Sequence, residues 1–335
     1  MRSLIVLASA MLILAVDAAA LAQKNGTDLE KALAGPRATV LRETMLYVVP
    51  DKQSDKVARV QPGRELVVAQ VSGPWVRVFA NTDVEKEREE EQPVFGSEPA
   101  PPVSGWMEAR GVVKETTAGG DAVLMGEAAN EEALASDPKG PANAARSARL
   151  LYRRLVEMFP DSPYAAEAMW RAADIRWQIE KADAATLSSS HEKDPVLREG
   201  MYEDEMKKIL KSYPRSRQAE LAAFELLDNK LCGDWQGDVK CPARESALYE
   251  KYAAEYPDGV KTAEALYLAV YRQASIGDML QAEGGKKEAE AARRHAHELA
   301  AHLKEKFPHS DYSVRAGAVV YKLDEGIPVY GIDLQ

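Results

Sequence analysis

Four times in the second half of the chain an amphipathic run stops at an aromatic-proline pair and restarts at once. The pairs are Phe159-Pro160, Tyr213-Pro214, Tyr256-Pro257 and Phe307-Pro308. Proline lacks the amide donor that a helix interior needs and pushes the residue before it out of the helical region, so each run must end there. A Ser or Gly follows two residues after each proline, at Ser162, Ser216, Gly259 and Ser310, and a serine hydroxyl there can accept from the free amides of the next helix. The stop and restart therefore predicts a turn between two antiparallel helices, with the aromatic closing the bottom of the pair. Recurrence makes it an internal repeat, and a repeat restricts the fold more than any composition does.

The second helix of each pair carries small and large apolar residues in a fixed order. Ala168, Met169, Trp170, Ala172, Ala173 and Trp177 correspond to Ala265, Leu266, Tyr267, Ala269 and Tyr271 in the third copy. Small residues let helices approach and large ones fill the gaps between them. Over 141–325 this text resembles the tetratricopeptide-like arrays of bacterial envelope proteins, of the outer-membrane assembly lipoprotein and Tol-Pal coordinator type. The resemblance implies a helical-hairpin solenoid that holds a protein partner on its concave face. The copies are spaced by 54, 43 and 51 residues, against about 34 in a strict tetratricopeptide. The extra length sits in "KADAATLSSSHEKDP", in the cysteine loop and in "IGDMLQAEGGKKEAEAARRHAHE".

Upstream the text changes to short β-type runs, "ATVLRETMLYVVP", "KVARVQPGRELVVAQV", "PWVRVFA" and "SGWMEARGVV", separated by Pro-Asp, Pro-Gly and Ser-Gly turn signals, which predict a small β-barrel or sandwich. Residues Leu46 to Pro50, Gln61 to Leu66, Gly73 to Val78 and Gly105-Trp106-Met107 resemble a bacterial SH3 domain spanning 38–114. That family implies an aromatic groove for a peptide or for peptidoglycan, made here by Tyr47, Trp75 and Trp106; Trp106 has the alternative of closing the barrel core. The departure is the acidic, proline-stiffened insertion 81–103, a solvated loop or a dock for a basic partner. Residues 115–140 read as the domain linker, with room for a short helix in the middle, and 326–335 as a C-terminal tail. The expected class is thus multi-domain β + α, an SH3-like β-barrel followed by a tetratricopeptide-like solenoid.

The first 22 residues read as a signal peptide: Arg2, an apolar run from Leu4 to Val16, and Ala20-Leu21-Ala22 as the peptidase site, with cleavage after Ala22. Gln23 follows in place of a lipid-bearing cysteine, and 23–37 read as a flexible N-terminus. The expected location is periplasmic or secreted, with no transmembrane segment in the mature chain. A net charge of −10 argues against nucleic acid. Cys232 and Cys241 are the only cysteines. In an oxidising compartment, with Gly233 and Gly237 letting the loop bend, they predict a disulfide. Zinc would need further Cys or His nearby, and none is there.

No catalytic signature stands in the chain, so the expectation is no enzyme, no cofactor and no metal. His295 and His302 share a helix face, with Glu298 and Glu305 as the only obvious carboxylates beside them, and read as solvated helix. Glu203, Asp204 and Glu205 are consecutive and fan around a helix without converging. Trp170 and Trp177 are a seven-residue stripe that packs against the next hairpin or lines a peptide groove together with Trp235; Tyr267 is the equivalent array position for a partner. The expected function is a non-enzymatic exported adaptor of the cell envelope that binds a protein through the array and a peptide or peptidoglycan through the SH3-like domain. The alternative is a cell-wall-binding module that supports a separate peptidoglycan hydrolase.

Overall fold

The computed structural model describes residues 34–83 and 103–330. The expected signal peptide 1–22, most of the segment 23–37, most of the insertion 81–103 and the end of the expected tail 326–335 lie outside the described residues. The chain divides into two compact units, Met1–Ala172 and Ala173–Gln335.

Seven strands come first: β1 (Arg37–Val40), β2 (Thr44–Tyr47), β3 (Lys56–Val60), β4 (Glu65–Ser72), β5 (Trp75–Ala80), β6 (Val103–Glu108) and β7 (Val112–Lys114). They form one antiparallel sheet in the order β3-β2-β6-β5-β4-β1-β7. Where a closed barrel is expected, the described strands leave the sheet open, with β3 and β7 as its edges. β7 runs only three residues before the chain turns away. Alternation decides which side is dry: Val76, Val78 and Ala80 of β5 join Leu46, Leu66 and Met107 in a core with no exposed surface. Burying each Val or Leu in this way contributes about 1.5–3 kcal/mol.

Nine α-helices follow among the described residues: α1 (Gly120–Ala135), α2 (Ala144–Met158), α3 (Ala165–Ala185), α4 (Asp204–Ser212), α5 (Arg217–Glu225), α6 (Lys240–Glu255), α7 (Thr262–Ala282), α8 (Lys286–Lys306) and α9 (Asp311–Asp324). All four aromatic-proline turns form, with one conformation at the aromatic. Phe159, Tyr213, Tyr256 and Phe307 have φ between −121° and −132° and ψ between 54° and 64°. Each aromatic carbonyl accepts from the amide three residues on, at Ser162, Ser216, Gly259 and Ser310, over 3.0–3.1 Å. The three serine hydroxyls also accept from amides at the next helix start, those of Tyr164, Ala219 and Tyr312. In the third copy glycine has no hydroxyl, and the Thr262 hydroxyl donates back to the Tyr256 carbonyl instead.

The stretch 115–140, read from sequence as a linker, contains the 16-residue α1, which packs along α2. Leu124 and Ala128 are fully buried, the Tyr152 hydroxyl donates to Glu132 at 2.7 Å, and the Ser162 hydroxyl donates to Asp121 at 2.7 Å. Within the same unit α2 is tied to the sheet through Arg154, whose side chain is 3% exposed. Its Nε donates to the Gly63 carbonyl at 3.2 Å, Nη1 to Glu65 at 3.2 Å and to Glu157, and Nη2 to Asp83 at 2.8 Å. Gly63, with φ 77°, sits directly under α2. The stretch 115–140 thus carries packed structure within the first unit.

In the second unit, α6 to α9 enclose two apolar clusters. One holds Leu266, Val270, Ala296, Leu303, Ala316 and Leu323; the other holds Leu227, Tyr249, Tyr252, Ala265 and Ala269. Two of the extra lengths that break the repeat spacing lean on each other. Gly233 N donates to the Glu192 carbonyl at 2.9 Å, Asp234 N to the His191 carbonyl at 3.2 Å, and Lys193 Nζ to Asp238 at 2.9 Å.

Candidate functional site

The solvent face of β2, β6 and β5 gathers the three aromatics expected there. Tyr47 lies opposite Trp106, and Trp106 lies opposite Arg77. Side chains in register on neighbouring strands share a face. Leu46, Met107 and Val76, each adjacent in sequence to one of the aromatics, have no exposed surface, so Tyr47, Trp106 and Trp75 point away from the core. All three are half-buried. The Tyr47 and Trp75 rings meet edge to face, with centroids 5.9 Å apart. Trp106 does not close the core; Met107 takes that place.

The row is longer than the sequence suggested. Past a register shift between Leu46 and Tyr47, Lys56 of β3 lies opposite Tyr47, so Lys56, Tyr47, Trp106 and Arg77 run across four neighbouring strands. Both cations are exposed, and neither side chain has a partner among the described residues. Other charges nearby are used: Lys52 pairs with Glu108 at 2.9 Å and Arg59 with Glu43 at 3.0 Å. Alternation in "WVRVF" marks Arg77 as outward-facing, but only the ladder register brings Lys56 and Arg77 into one row.

The array residues are placed differently. Trp177 is 1% exposed, and its Nε1 points to Asp228 at 3.5 Å, which is the packing alternative. Trp170 is half-buried with the Arg171 guanidinium 5.5 Å from its ring centre. Tyr267 rests against Tyr312, centroids 5.8 Å apart, at the margin of an apolar cluster. Trp235 stacks on Tyr330 at 5.6 Å.

Cys232 and Cys241 form the disulfide. Behind it Glu245, 1% exposed, accepts from Cys232 N at 2.9 Å, Trp235 Nε1 at 3.2 Å and Arg272 Nε at 3.1 Å. Three donors around one carboxylate satisfy a charge that burial would otherwise penalise. The bridge closes a loop with a sequence separation of 9, so Cys232→Ser/Cys241→Ser is expected to lower stability by about 2–3 kcal/mol. Chemical denaturation of the double variant against the oxidised protein checks this.

His295 lies between two carboxylates, Glu250 at 3.0 Å and Glu298 at 3.8 Å, while His297 faces Asp324 at 3.1 Å and His191 faces Asp234 at 3.2 Å. Among the described residues no group of three or more His, Cys, Asp or Glu is arranged to hold a metal ion. No helix among them is long and apolar enough to cross a membrane.

One carboxyl in the array stands out electrostatically. Burial pushes Glu225 up to about 7, with Asp228 and Asp174 adding to the rise and Lys181 and Lys261 opposing it. A carboxyl raised in the folded state holds its proton where the unfolded chain has lost it, so stability falls as pH rises from about 4.5 to 7. Glu225→Gln is expected to leave stability unchanged near pH 4 and to raise it by about 1–2 kcal/mol at pH 8, after allowing for solvent screening. Thermal melts of both proteins across that range test the sign.

No family model matches the chain, and no curated protein matches it. Among solved structures, one titled "DHF79 filament" aligns with 59% of this chain and 95% of its own length at 17% identity, with a TM-score of 0.22. That score carries no argument about the fold.

Proposed function

We propose that this protein is a non-enzymatic exported adaptor of the cell envelope, with an SH3-like sheet domain that binds peptide or peptidoglycan and a tetratricopeptide-like helical array that holds a protein partner. The observation that carries the reading is the row of Tyr47 and Trp106, with Trp75 beside it, on the solvent side of the sheet. Large aromatics there cost solvation and contribute nothing to the core, while flat rings beside charged groups suit a ligand with both apolar and polar edges. The disulfide and the lack of a membrane-crossing helix among the described residues are compatible with export. The four aromatic-proline turns support the array reading.

Photocrosslinking in intact cells tests the proposal, with the reactive residue at Trp75 in one variant and at Tyr321 in another. Tyr321 is chosen because it is 62% exposed, whereas Tyr267 packs against Tyr312. Discrete protein adducts from Tyr321 support the adaptor. Adducts to wall fragments from Trp75 alone favour the wall-binding module that serves a separate hydrolase. No adduct from either position removes the basis for both.

A further inference from the structure

Charge on the sheet's outer face narrows the ligand. The chain is strongly acidic, with 53 Asp and Glu against 43 Lys and Arg, yet the row across β3, β2, β6 and β5 reads Lys56, Tyr47, Trp106, Arg77. Two exposed cations without partners among the described residues bracket two aromatics. Neighbouring strands are about 4.8 Å apart, so three intervals put the ends of the row roughly 14 Å apart, the reach of about four extended residues. A guanidinium beside aromatic surface is weakly hydrated and matches a carboxylate with two parallel hydrogen bonds.

We infer that this face binds an extended acidic peptide laid across the strands, with one carboxylate on Arg77, a second on Lys56 and apolar residues between them on Tyr47 and Trp106. The inference rests on the reading of this face as a binding surface and adds the chemical class of its ligand. Trp75, edge-on to Tyr47, fixes the tyrosine ring and forms one side of the track. A neutral glycan would gain from the rings but would leave both cations unused.

The test is selection of a random nonapeptide display library on the full-length protein, repeated with Arg77→Gln/Lys56→Gln and with Trp106→Ala. Circular dichroism and melting temperature check that these exposed-face variants keep the fold. The expected result is enrichment of peptides with two acidic residues about four apart and apolar residues between. That enrichment should be absent in the double variant, and a selected peptide should bind it at least tenfold more weakly. Enrichment without carboxylates, enrichment unchanged by the double variant, or no enrichment overturns the inference. A parallel co-sedimentation with insoluble peptidoglycan separates the two levels. Wall binding without peptide enrichment overturns the acidic-peptide inference and leaves the binding face standing, and no binding in either arm removes both.

Discussion

Arg154→Met is expected to lower the stability of the first unit by about 3–5 kcal/mol, because it removes one partner of a buried ion network and leaves the others charged and dry. Arg154 serves four acceptors, and Glu65 and Asp83 are themselves only 10% and 12% exposed. Arg37 at 3.0 Å from Glu65 and Arg64 at 3.5 Å from Asp83 remain in the variant, but neither replaces the donor to the Gly63 carbonyl. Arg154→Lys is expected to recover little, since one ammonium cannot reach the positions spanned by the planar fork. Hydrogen exchange followed peptide by peptide is the suitable readout. Loss of protection in the strands and α2 with unchanged protection over 240–324 is the expected pattern, and a loss under about 1 kcal/mol would mean the network is not what joins α2 to the sheet.

Gly63→Ala should be nearly as damaging, for a different reason. Gly63 has φ 77°, and a Cβ there would stand 2.6 Å from backbone atoms of Leu150 and Leu151. The left-handed conformation alone costs an L-residue about 1–2 kcal/mol. The clash is with backbone that cannot rotate away, so the total is expected to reach about 3 kcal/mol or more. Gly73 supplies the control: its φ is 56°, and nothing lies within 4 Å of the added carbon. Gly73→Ala is expected to cost only the conformational part, about 1–2 kcal/mol. Equal losses from the two variants in urea titrations would refute the close approach of α2 to the β3–β4 turn.

What could be read from the sequence was local. The aromatic-proline turns were legible because proline acts on its own neighbours and needs no distant partner. Tyr47, Trp75 and Trp106 were named from the resemblance to a bacterial SH3 domain, which left Trp106 between groove and core; the fully buried Met107 beside it puts the Trp106 ring on the outer face. α1 was legible only as a short helix within a linker; its full 16 residues and its packing, with Leu124 and Ala128 fully buried, were not. Its Gly and Ala content suggested a linker, and packing against α2 outweighs that weak propensity. The Arg154 network joins residues 71 to 91 positions apart, and no local pattern encodes such a pairing. For the same reason Arg77 and Lys56 were not seen as a row: register between strands is set by the whole sheet. Trp177 illustrates the converse, since a tryptophan stripe is compatible with a groove or with a core, and only burial separates them.

The recurring turn bears on how such a chain can change its length. Its geometry is set at the aromatic, whether Phe or Tyr, and by the bond from the residue three places on. The second turn alone has a left-handed residue, Arg215 with φ 63°, and it still brings the chain to the same serine-capped start. A joint that tolerates different residues on either side lets a whole helix pair be duplicated or lost between two joints without rewriting the pairs that flank it. The uneven spacing of the copies is thus taken up away from the joints, at the far ends of the helix pairs, while all four joints keep one geometry at the aromatic.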